Sequence, residues 1–236
     1  TLNFYAIYSC GACATSVKIS CKHASINHSK YRDKSMKFQQ ITAFQTREVL
    51  FCGYFDTYKA CLEDAVKNGV NLRGVDLSHK NLSNACLDEA HFEYALFENT
   101  NLTGANLSGT KIKAARFINA ALQNTCFCEA QLEDIHFTGS AFGSTDMAGS
   151  ILNRCVFNTL SALQINFRDC NKLGGNVFQT ACGRKTTFNR PPVYVQNLDW
   201  PVVLFDHDMM VGSYMHSYCD WDALFQNQQR RFGRRQ

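Results

Sequence analysis

The hydrophobic residues in the middle of the chain recur with a period of five. From residue 72, eighteen successive positions spaced five residues apart are all large and apolar. These positions are Leu72, Leu77, Leu82, Leu87, Phe92, Phe97, Leu102, Leu107, Ile112, Phe117, Leu122, Phe127, Leu132, Phe137, Phe142, Met147, Leu152 and Phe157. Fourteen of the eighteen residues two places earlier are Ala, Ser, Thr or Cys. A helix spaces apolar residues by three or four and a strand by two, so the pattern predicts a repeat with its own architecture.

The repeated motifs, among them ANLSG, ARFIN and AQLED, resemble the A(D/N)LXX pattern of the pentapeptide-repeat family over about residues 70–170. The resemblance implies an all-β fold, a right-handed quadrilateral β-helix of about five coils, with four pentapeptides in each coil. The large residue would fill the centre of the square cross-section, and the small residue would fit a tight corner. Gly104 and Gly109 are expected in corner turns. One repeat cannot bury its own apolar side, so stability is expected to come from stacked neighbours.

A coil of four pentapeptides places residues 20 apart directly above one another. One inward column then contains Leu77, Phe97, Phe117, Phe137 and Phe157, which predicts a ladder of stacked aromatic rings. One outward column contains Arg73, Glu93, Lys113 and Glu133, in which the sign of the charge alternates. Opposite charges on adjacent strands are favourable, so the second column predicts a charge ladder between coils.

The segments that flank the repeats divide the rest of the chain. Residues 1–35 show no period and precede the first methionine, so we expect a disordered or non-native extension there. Residues 36–69 are expected to form a cap, with a strand at 46–55 and an amphipathic helix at 57–69 that has Thr57 as its N-cap. This N-terminal cap resembles the segment before the repeats in phage-type and bacterial family members, which predicts a phage or bacterial origin.

The C-terminal part is predicted to be a linker, residues 171–190, followed by a small α+β module, residues 191–236. Two or three short strands are expected after Pro191 and Pro192, and the spacing of Ser217 and Asp220 predicts a capped final helix. The last eight residues, QRRFGRRQ, form a basic tail. Such a tail is more often a solubility feature than a specific binding site.

Composition excludes several classes of protein. The net charge is +4, and residues 70–170 carry 7 basic and 10 acidic side chains, which is not the basic footprint of a protein that binds nucleic acid directly. No apolar run approaches the length of a membrane span, so no membrane association is predicted. The twelve scattered cysteines indicate a reducing, cytoplasmic setting in which most thiols are small apolar fillers.

Two groups of side chains could hold a metal. Cys10, Cys13, Cys21 and His23 could supply four zinc ligands, but incidental thiols in a tail are the better interpretation. His207, Asp208, His216 and Cys219 also include metal-capable groups, with a surface turn as the favoured interpretation. We therefore predict no cofactor and no metal.

The remaining ionisable clusters do not predict catalysis. The carboxylates Asp88, Glu89, Glu93 and Glu98 fall at outward positions, where a solvated face is expected. Paired carboxylates that act as acid and base need a partly buried setting that separates their pKa values. His79, His91 and His136 also fall at outward positions, without a recognisable nucleophile beside them.

The predicted function is a non-catalytic protein-interaction scaffold whose partner is another protein, with a homodimer through a solenoid end as one arrangement. The family resemblance also implies an alternative. Some members that protect bacteria from quinolones mimic B-form DNA and bind DNA gyrase, although the weak acidity of this repeat region argues against that role. A second alternative is an enzyme or metal site in the C-terminal module.

Overall fold

The structure is a computed structural model that describes residues 36–158, 164–171, 173–180, 183–195, 197–212 and 214–232. The expected extension at residues 1–35 and the candidate ligands Cys10, Cys13, Cys21 and His23 therefore lie outside the described residues. In the described part of the chain, no helix is both long enough and apolar enough to cross a membrane.

The described residues begin with a hairpin and a helix: β1 (Lys37–Thr42), β2 (Val49–Phe55) and α1 (Tyr58–Lys67). The sequence predicted the second strand and the helix but not β1, which pairs antiparallel with β2. The Thr57 hydroxyl accepts a hydrogen bond from the Ala60 amide at 3.1 Å, as an N-cap does. Cys61, Leu62 and Ala65 are buried and belong to the same core cluster as the first repeats.

Helix α1 lies across the first coil of the repeat region. The Lys59 ammonium donates to the Ser83 carbonyl at 3.2 Å, and the Cys86 amide donates to the Glu63 carboxylate at 2.9 Å. The Tyr58 ring is largely buried, and this burial raises the pKa of its hydroxyl above the usual range. The helix therefore covers the residues that would otherwise form an open end of the stack.

The repeats form a β-solenoid whose successive coils are offset by 20 residues. Its strands are β3 (His91–Glu93), β4 (Lys111–Lys113), β5 (Ala121–Gln123), β6 (Gln131–Glu133), β7 (Ala141–Gly143), β8 (Thr145–Asp146), β9 (Ile151–Asn153), β10 (Val156–Asn158) and β11 (Ile165–Asn166). Strands β3, β4, β6 and β9 stack in parallel, with His91 beside Lys111 and Lys111 beside Gln131. Strands β5 and β7, and β8 and β11, keep the same offset. About four complete turns lie between residues 70 and 149, and the stacking continues to Asn171.

The period of five arises from the corners of this square section. All eighteen large apolar residues are buried, with at most 5% of any one of them exposed. Two places after each inward residue from 72 to 152 the backbone turns, and φ there is positive, as at Gly104 (+70°) and Gly109 (+64°). Small polar residues in the corners bond to the coil below, as when the Thr100 hydroxyl donates to the Leu77 carbonyl at 2.8 Å.

The inward aromatic column is continuous. The ring centroids are separated by 4.3 Å between Phe97 and Phe117, 5.2 Å between Phe117 and Phe137, and 5.0 Å between Phe137 and Phe157. Phe178 extends the column at 5.4 Å from Phe157. These separations are typical of favourable ring pairs, so the column links neighbouring coils through the core.

The expectation of a linker at residues 171–190 is wrong. Two strands, β12 (Asn176–Gln179) and β13 (Lys185–Phe188), lie there, and both Phe178 and Phe188 are fully buried. Strand β12 stacks in parallel on β10 with Phe157 beside Phe178, an offset of 21 rather than 20. The extra residue breaks the period of five, which is why the pattern in the sequence ends before the stacking does.

The C-terminal module is an antiparallel sheet and a helix: β14 (Val193–Val195), β15 (Val202–Leu204), β16 (Asp208–Val211), β17 (Tyr214–Ser217) and α2 (Tyr218–Phe232). Val203, Met210 and Met215 are buried on one face of the sheet and join the solenoid core. The Phe205 ring lies 5.1 Å from the Phe178 ring. The sheet thus packs over the last turn of the stack.

Candidate functional site

Ion pairs between coils occupy one side of the solenoid. Arg73 pairs with Glu93, and the Lys113 ammonium lies 2.9 Å from the Glu133 carboxylate. The Arg154 guanidinium contacts Glu133 at 2.6 Å and Asp134 at 2.5 Å. Hydrogen bonds from Lys113 and Arg154 lower the pKa of the Glu133 carboxyl. The acids on this side therefore have their charge balanced within the solenoid.

The acidic cluster expected near the first coil does not form a site for acid–base chemistry. Asp88 and Glu89 are exposed, Glu93 belongs to the ion pair above, and the Glu98 carboxylate lies 3.3 Å from Arg116. His79, His91 and His136 are also exposed. Such positions are solvated, and they lack the concave, partly buried setting that acid–base catalysis by paired carboxylates needs.

The metal-capable residues of the C-terminal module have other contacts. Asp208 accepts a hydrogen bond from Thr186 and lies 3.7 Å from the Arg184 guanidinium. The His216 ring packs edge-on against the Trp221 ring at 5.1 Å. His207 and Cys219 are exposed, and the described residues contain no group of three or more His, Cys, Asp or Glu side chains arranged around a metal position.

Two thiols of the solenoid, Cys128 and Cys155, have a strongly raised pKa, and burial is the largest cause for both. Burial, together with the neighbouring Cys126 and Asp146 side chains, raises the pKa of Cys128 to about 12. A thiol with such a pKa is protonated at neutral pH, so Cys128 lacks the thiolate that a nucleophile requires.

The C-terminal sheet is apolar on both faces. One face carries the buried residues described above. Cross-strand pairing places eight residues on the opposite face, called here the outer face: Val193, Leu204, Met209, His216, Val195, Val202, Val211 and Tyr214. All of them except His216 are apolar or aromatic. An antiparallel sheet with one face on the core normally turns a polar face to water.

Helix α2 covers only part of the outer face. Its Trp221 indole donates to the Met209 carbonyl at 2.7 Å and contacts His216. Tyr214 remains 69% exposed and Val193 58% exposed. Trp200, next to the sheet beside Gly212, is 67% exposed. The exposed apolar surface is the feature of this chain best suited to contact another molecule.

This surface was not predicted from the sequence, although the chain carries a signal for it. Val202-Val203-Leu204 and Met209-Met210-Val211 are unbroken apolar runs in short strands. Such runs are typical of strands covered on both faces, whereas alternation is typical of strands covered on one.

Stacked parallel strands, four-sided coils and a solid apolar core define the chain as a β-solenoid protein. A family model for pentapeptide repeats matches residues 68–104, 81–117 and 115–154, with eight copies of the repeat. Residues 68–154 are therefore a stretch of pentapeptide repeats. Comparison with curated proteins finds no match.

Solved structures with similarity to the chain are also pentapeptide-repeat proteins. HetL, which is involved in heterocyst differentiation regulation in the cyanobacterium Nostoc sp. strain PCC 7120, is 18% identical, with 44% of this chain and 53% of HetL covered and a TM-score of 0.28. Full-length QnrB1, a plasmid-mediated fluoroquinolone resistance protein, is 15% identical, with 48% and 54% covered and a TM-score of 0.29. A thylakoid-lumen protein of Arabidopsis thaliana is 20% identical, with 50% and 70% covered and a TM-score of 0.22. Similarity at this level does not transfer a function.

Proposed function

We propose that the protein is a non-catalytic scaffold that binds another protein through the outer face of its C-terminal sheet. The observation that carries the proposal is the exposure of Tyr214 and Val193 on the outer face, and of Trp200 beside the sheet, whereas Val203, Met210 and Met215 on the opposite face are buried. Exposed apolar patches of this kind mark interaction sites in soluble proteins, and aromatic residues are enriched at such interfaces.

The interior of the solenoid supports the same proposal. The inward residues fill the section along its length, so a ligand has no space inside the described coils. Recognition therefore takes place at the surface. Because α1 and the C-terminal sheet pack over the two ends of the stack, a homodimer formed through an end would have to displace residues that are already buried.

Site-specific photo-crosslinking tests this function. A photoreactive phenylalanine analogue is placed at Tyr214 on the outer face, and a matched control at Tyr94, which is 46% exposed on the solenoid side. Irradiation in lysate of the source cells should give a discrete adduct at position 214 and none at position 94, and Val193→Asp should abolish the adduct. An absence of adducts at 214, or the same adducts at both positions, would contradict the proposal.

The alternative, a DNA mimic that binds gyrase, has less support. Glu93, Glu98 and Glu133 each pair with a basic side chain, so the acids do not form an unpaired run that resembles a phosphate backbone. An in vitro supercoiling assay separates the two functions. Inhibition of gyrase at low micromolar protein would favour the DNA mimic, whereas no effect at high micromolar protein would leave the scaffold.

We propose a cellular location for the protein from the state of its cysteines. Cys86, Cys126, Cys128, Cys155, Cys170 and Cys219 are free thiols in the structure. Free thiols persist in reducing compartments, which supports a cytoplasmic location. A phage or bacterial origin stays a prediction from the resemblance of the N-terminal cap.

A further inference from the structure

The first strand of the C-terminal sheet lies at an open edge. In the strand order β14-β15-β16-β17, strand β14 pairs with β15 on one side, and no other described strand pairs with it on the opposite side. Val193 is 58% exposed and Tyr194 is 47% exposed, although successive side chains of a strand point to opposite faces of the sheet. Both faces of the sheet are therefore accessible at this edge.

Hydrogen bonds between β15 and β16 show which backbone groups of β15 remain for β14. The Phe205 amide donates to the Asp208 carbonyl at 2.9 Å. At the other end of the same strand pair, the Gly212 amide donates to the Pro201 carbonyl at 2.8 Å. Antiparallel strands bond at alternate residues, so Val203 also turns its amide and carbonyl toward β16 and away from β14.

This alternation leaves the backbone of Tyr194 at the open edge. Tyr194 lies opposite Val203, whose amide and carbonyl are turned away from β14. The bonds between β14 and β15 are therefore made by Val193 and Val195, which lie opposite Leu204 and Val202. The amide and the carbonyl of Tyr194 point the other way, in the plane of the sheet and away from β15.

The sequence of β14 leaves this edge able to accept another strand. Proteins block such edges with charged side chains, prolines, bulges or covering elements. Strand β14 reads Val-Tyr-Val and carries no charge, and Pro191 and Pro192 come before its paired residues. Because a proline has no amide to donate, these two residues shorten the open edge to Tyr194 without closing it. An added strand must therefore centre on Tyr194.

A second copy of β14 fits this edge. Two β14 strands related by a two-fold axis run antiparallel, and the Tyr194 amide of each would donate to the Tyr194 carbonyl of the other. The two Tyr194 rings would lie opposite each other on one face as a cross-strand aromatic pair. On the other face, Val193 of each copy would lie opposite Val195 of the other. We propose that the protein forms a two-fold homodimer through β14, which joins the four-stranded sheets of two copies into one sheet.

This homodimer differs from one formed through a solenoid end. The contact uses the edge of the C-terminal sheet, so the buried residues that cover the two ends of the stack stay in place. It also leaves the outer face open and sets the outer faces of the two copies side by side. The dimer therefore does not depend on whether the outer face binds another protein.

Sedimentation velocity of the full chain over a concentration series, in reducing buffer, tests the contact. Wild type should show a reversible equilibrium between monomer and dimer. Tyr194→Pro removes the amide at the open edge, where a proline is compatible with a strand, and it should weaken the dimer at least about tenfold. Tyr194→Ala is the matched control, because it removes the ring and keeps the amide, and it should weaken the dimer less.

Three results of this experiment would overturn the proposal. The first is a wild type that stays monomeric at the highest concentration reached. The second is a Tyr194→Pro variant that dimerises as strongly as wild type. The third is an equal weakening by Tyr194→Pro and Tyr194→Ala, which would assign the contact to the ring and not to the backbone. The melting temperature of Tyr194→Pro should stay close to that of wild type, because the lost amide makes no bond to β15.

Amide hydrogen exchange of wild type tests the same contact without a variant. At a concentration where the dimer predominates, the Tyr194 amide should exchange slowly, and on dilution it should exchange as fast as an unprotected amide. The Val203 amide, which faces β16, should be protected at both concentrations. Exchange at Tyr194 that does not change with concentration would overturn the proposal.

Discussion

The replacement of Phe117 by alanine offers a direct test of how the solenoid is held together. Phe117 is fully buried, and its ring stacks on Phe97 at 4.3 Å with an interplanar angle of 7°. It also contacts the Phe137 ring at 5.2 Å. The neighbouring Ile118 is apolar as well, but it lies at an outward, half-buried position. Ile118→Ala is therefore a matched control that removes an apolar side chain at an outward position of the same pentapeptide.

The magnitude follows from burial. A buried aromatic side chain removes about 150–250 Å² from water, and about 25 cal/mol per Å² gives an upper value of about 4–6 kcal/mol. Alanine retains a small part of this area, and the rigid coils above and below limit collapse of the cavity. Phe→Ala substitutions in cores cost about 3–5 kcal/mol, and we expect Phe117→Ala to fall in that range. Ile118→Ala should lower the free energy of unfolding by no more than about 1 kcal/mol, because the Ile118 side chain is already partly in water in the folded protein.

Chemical denaturation monitored by far-UV circular dichroism measures the free energy of unfolding of wild type, Phe117→Ala and Ile118→Ala. The values can be compared provided that the free energy of unfolding falls with denaturant concentration at the same slope in all three proteins. Phe117→Leu is a further control, because it keeps most of the volume and loses the ring stacking. Its free energy of unfolding should lie between those of the two alanine variants. Similar losses for Phe117→Ala and Ile118→Ala would refute the assignment of inward and outward sides, and with it the register of the repeat.

Two further predictions concern hydrogen bonds and charge. Thr100→Val removes the hydroxyl that donates to the Leu77 carbonyl, and it should cost about 1 kcal/mol in the same denaturation experiment. Thr103→Val, at a half-buried outward position, should stay within about 0.5 kcal/mol of wild type, and an equal loss would count against the corner role of Thr100. Hydrogen bonds from Arg154 lower the pKa of Asp134, so the stabilisation they give is present above the ordinary carboxyl pKa of about 4 and is lost as the pH falls through the folded value. Arg154→Met should therefore lower the melting temperature at pH 7 but not at pH 2.5, and a carboxyl NMR titration should show the Asp134 pKa returning toward its ordinary value; an equal deficit at both pH values would contradict this.

The sequence was most informative where the structure repeats the same environment many times. Each inward residue occupies an equivalent place in a coil, so eighteen observations of one spacing determine the register of positions such as Leu102. In the 20-residue column of alternating charges, Arg73 pairs with Glu93 and Lys113 pairs with Glu133. The diagonal contacts of Arg154 with two carboxylates were not visible in that column, because they depend on the length and reach of the side chain.

The repeat pattern failed where one residue was added. Between Asn171, which keeps the 20-residue offset, and Phe178, which has an offset of 21, the spacing of five is lost although the stacking continues. Asn176 explains how the altered turn is accommodated. Its side chain is fully buried, donates to the Leu152 carbonyl at 3.0 Å and accepts from the Cys155 amide at 2.8 Å. The same amide group also donates to the Leu173 carbonyl at 2.5 Å. A buried amide that replaces a small residue cannot be recognised from periodicity, because two of its partners, Leu152 and Cys155, lie more than twenty residues away.

The sides of the solenoid and the C-terminal sheet differ in what a partner gains by covering them. On the sides, charges already pair with each other across coils, and exposed ion pairs of this kind contribute little to stability, so a partner that competes for them gains little. Tyr214 on the outer face of the sheet and Trp200 beside the sheet are mostly in water. Full burial of a large apolar side chain contributes about 1.5–3 kcal/mol, and a few such residues can dominate an interface. The repeats therefore supply a rigid support, and specificity for a partner is expected to reside in the four strands that follow them.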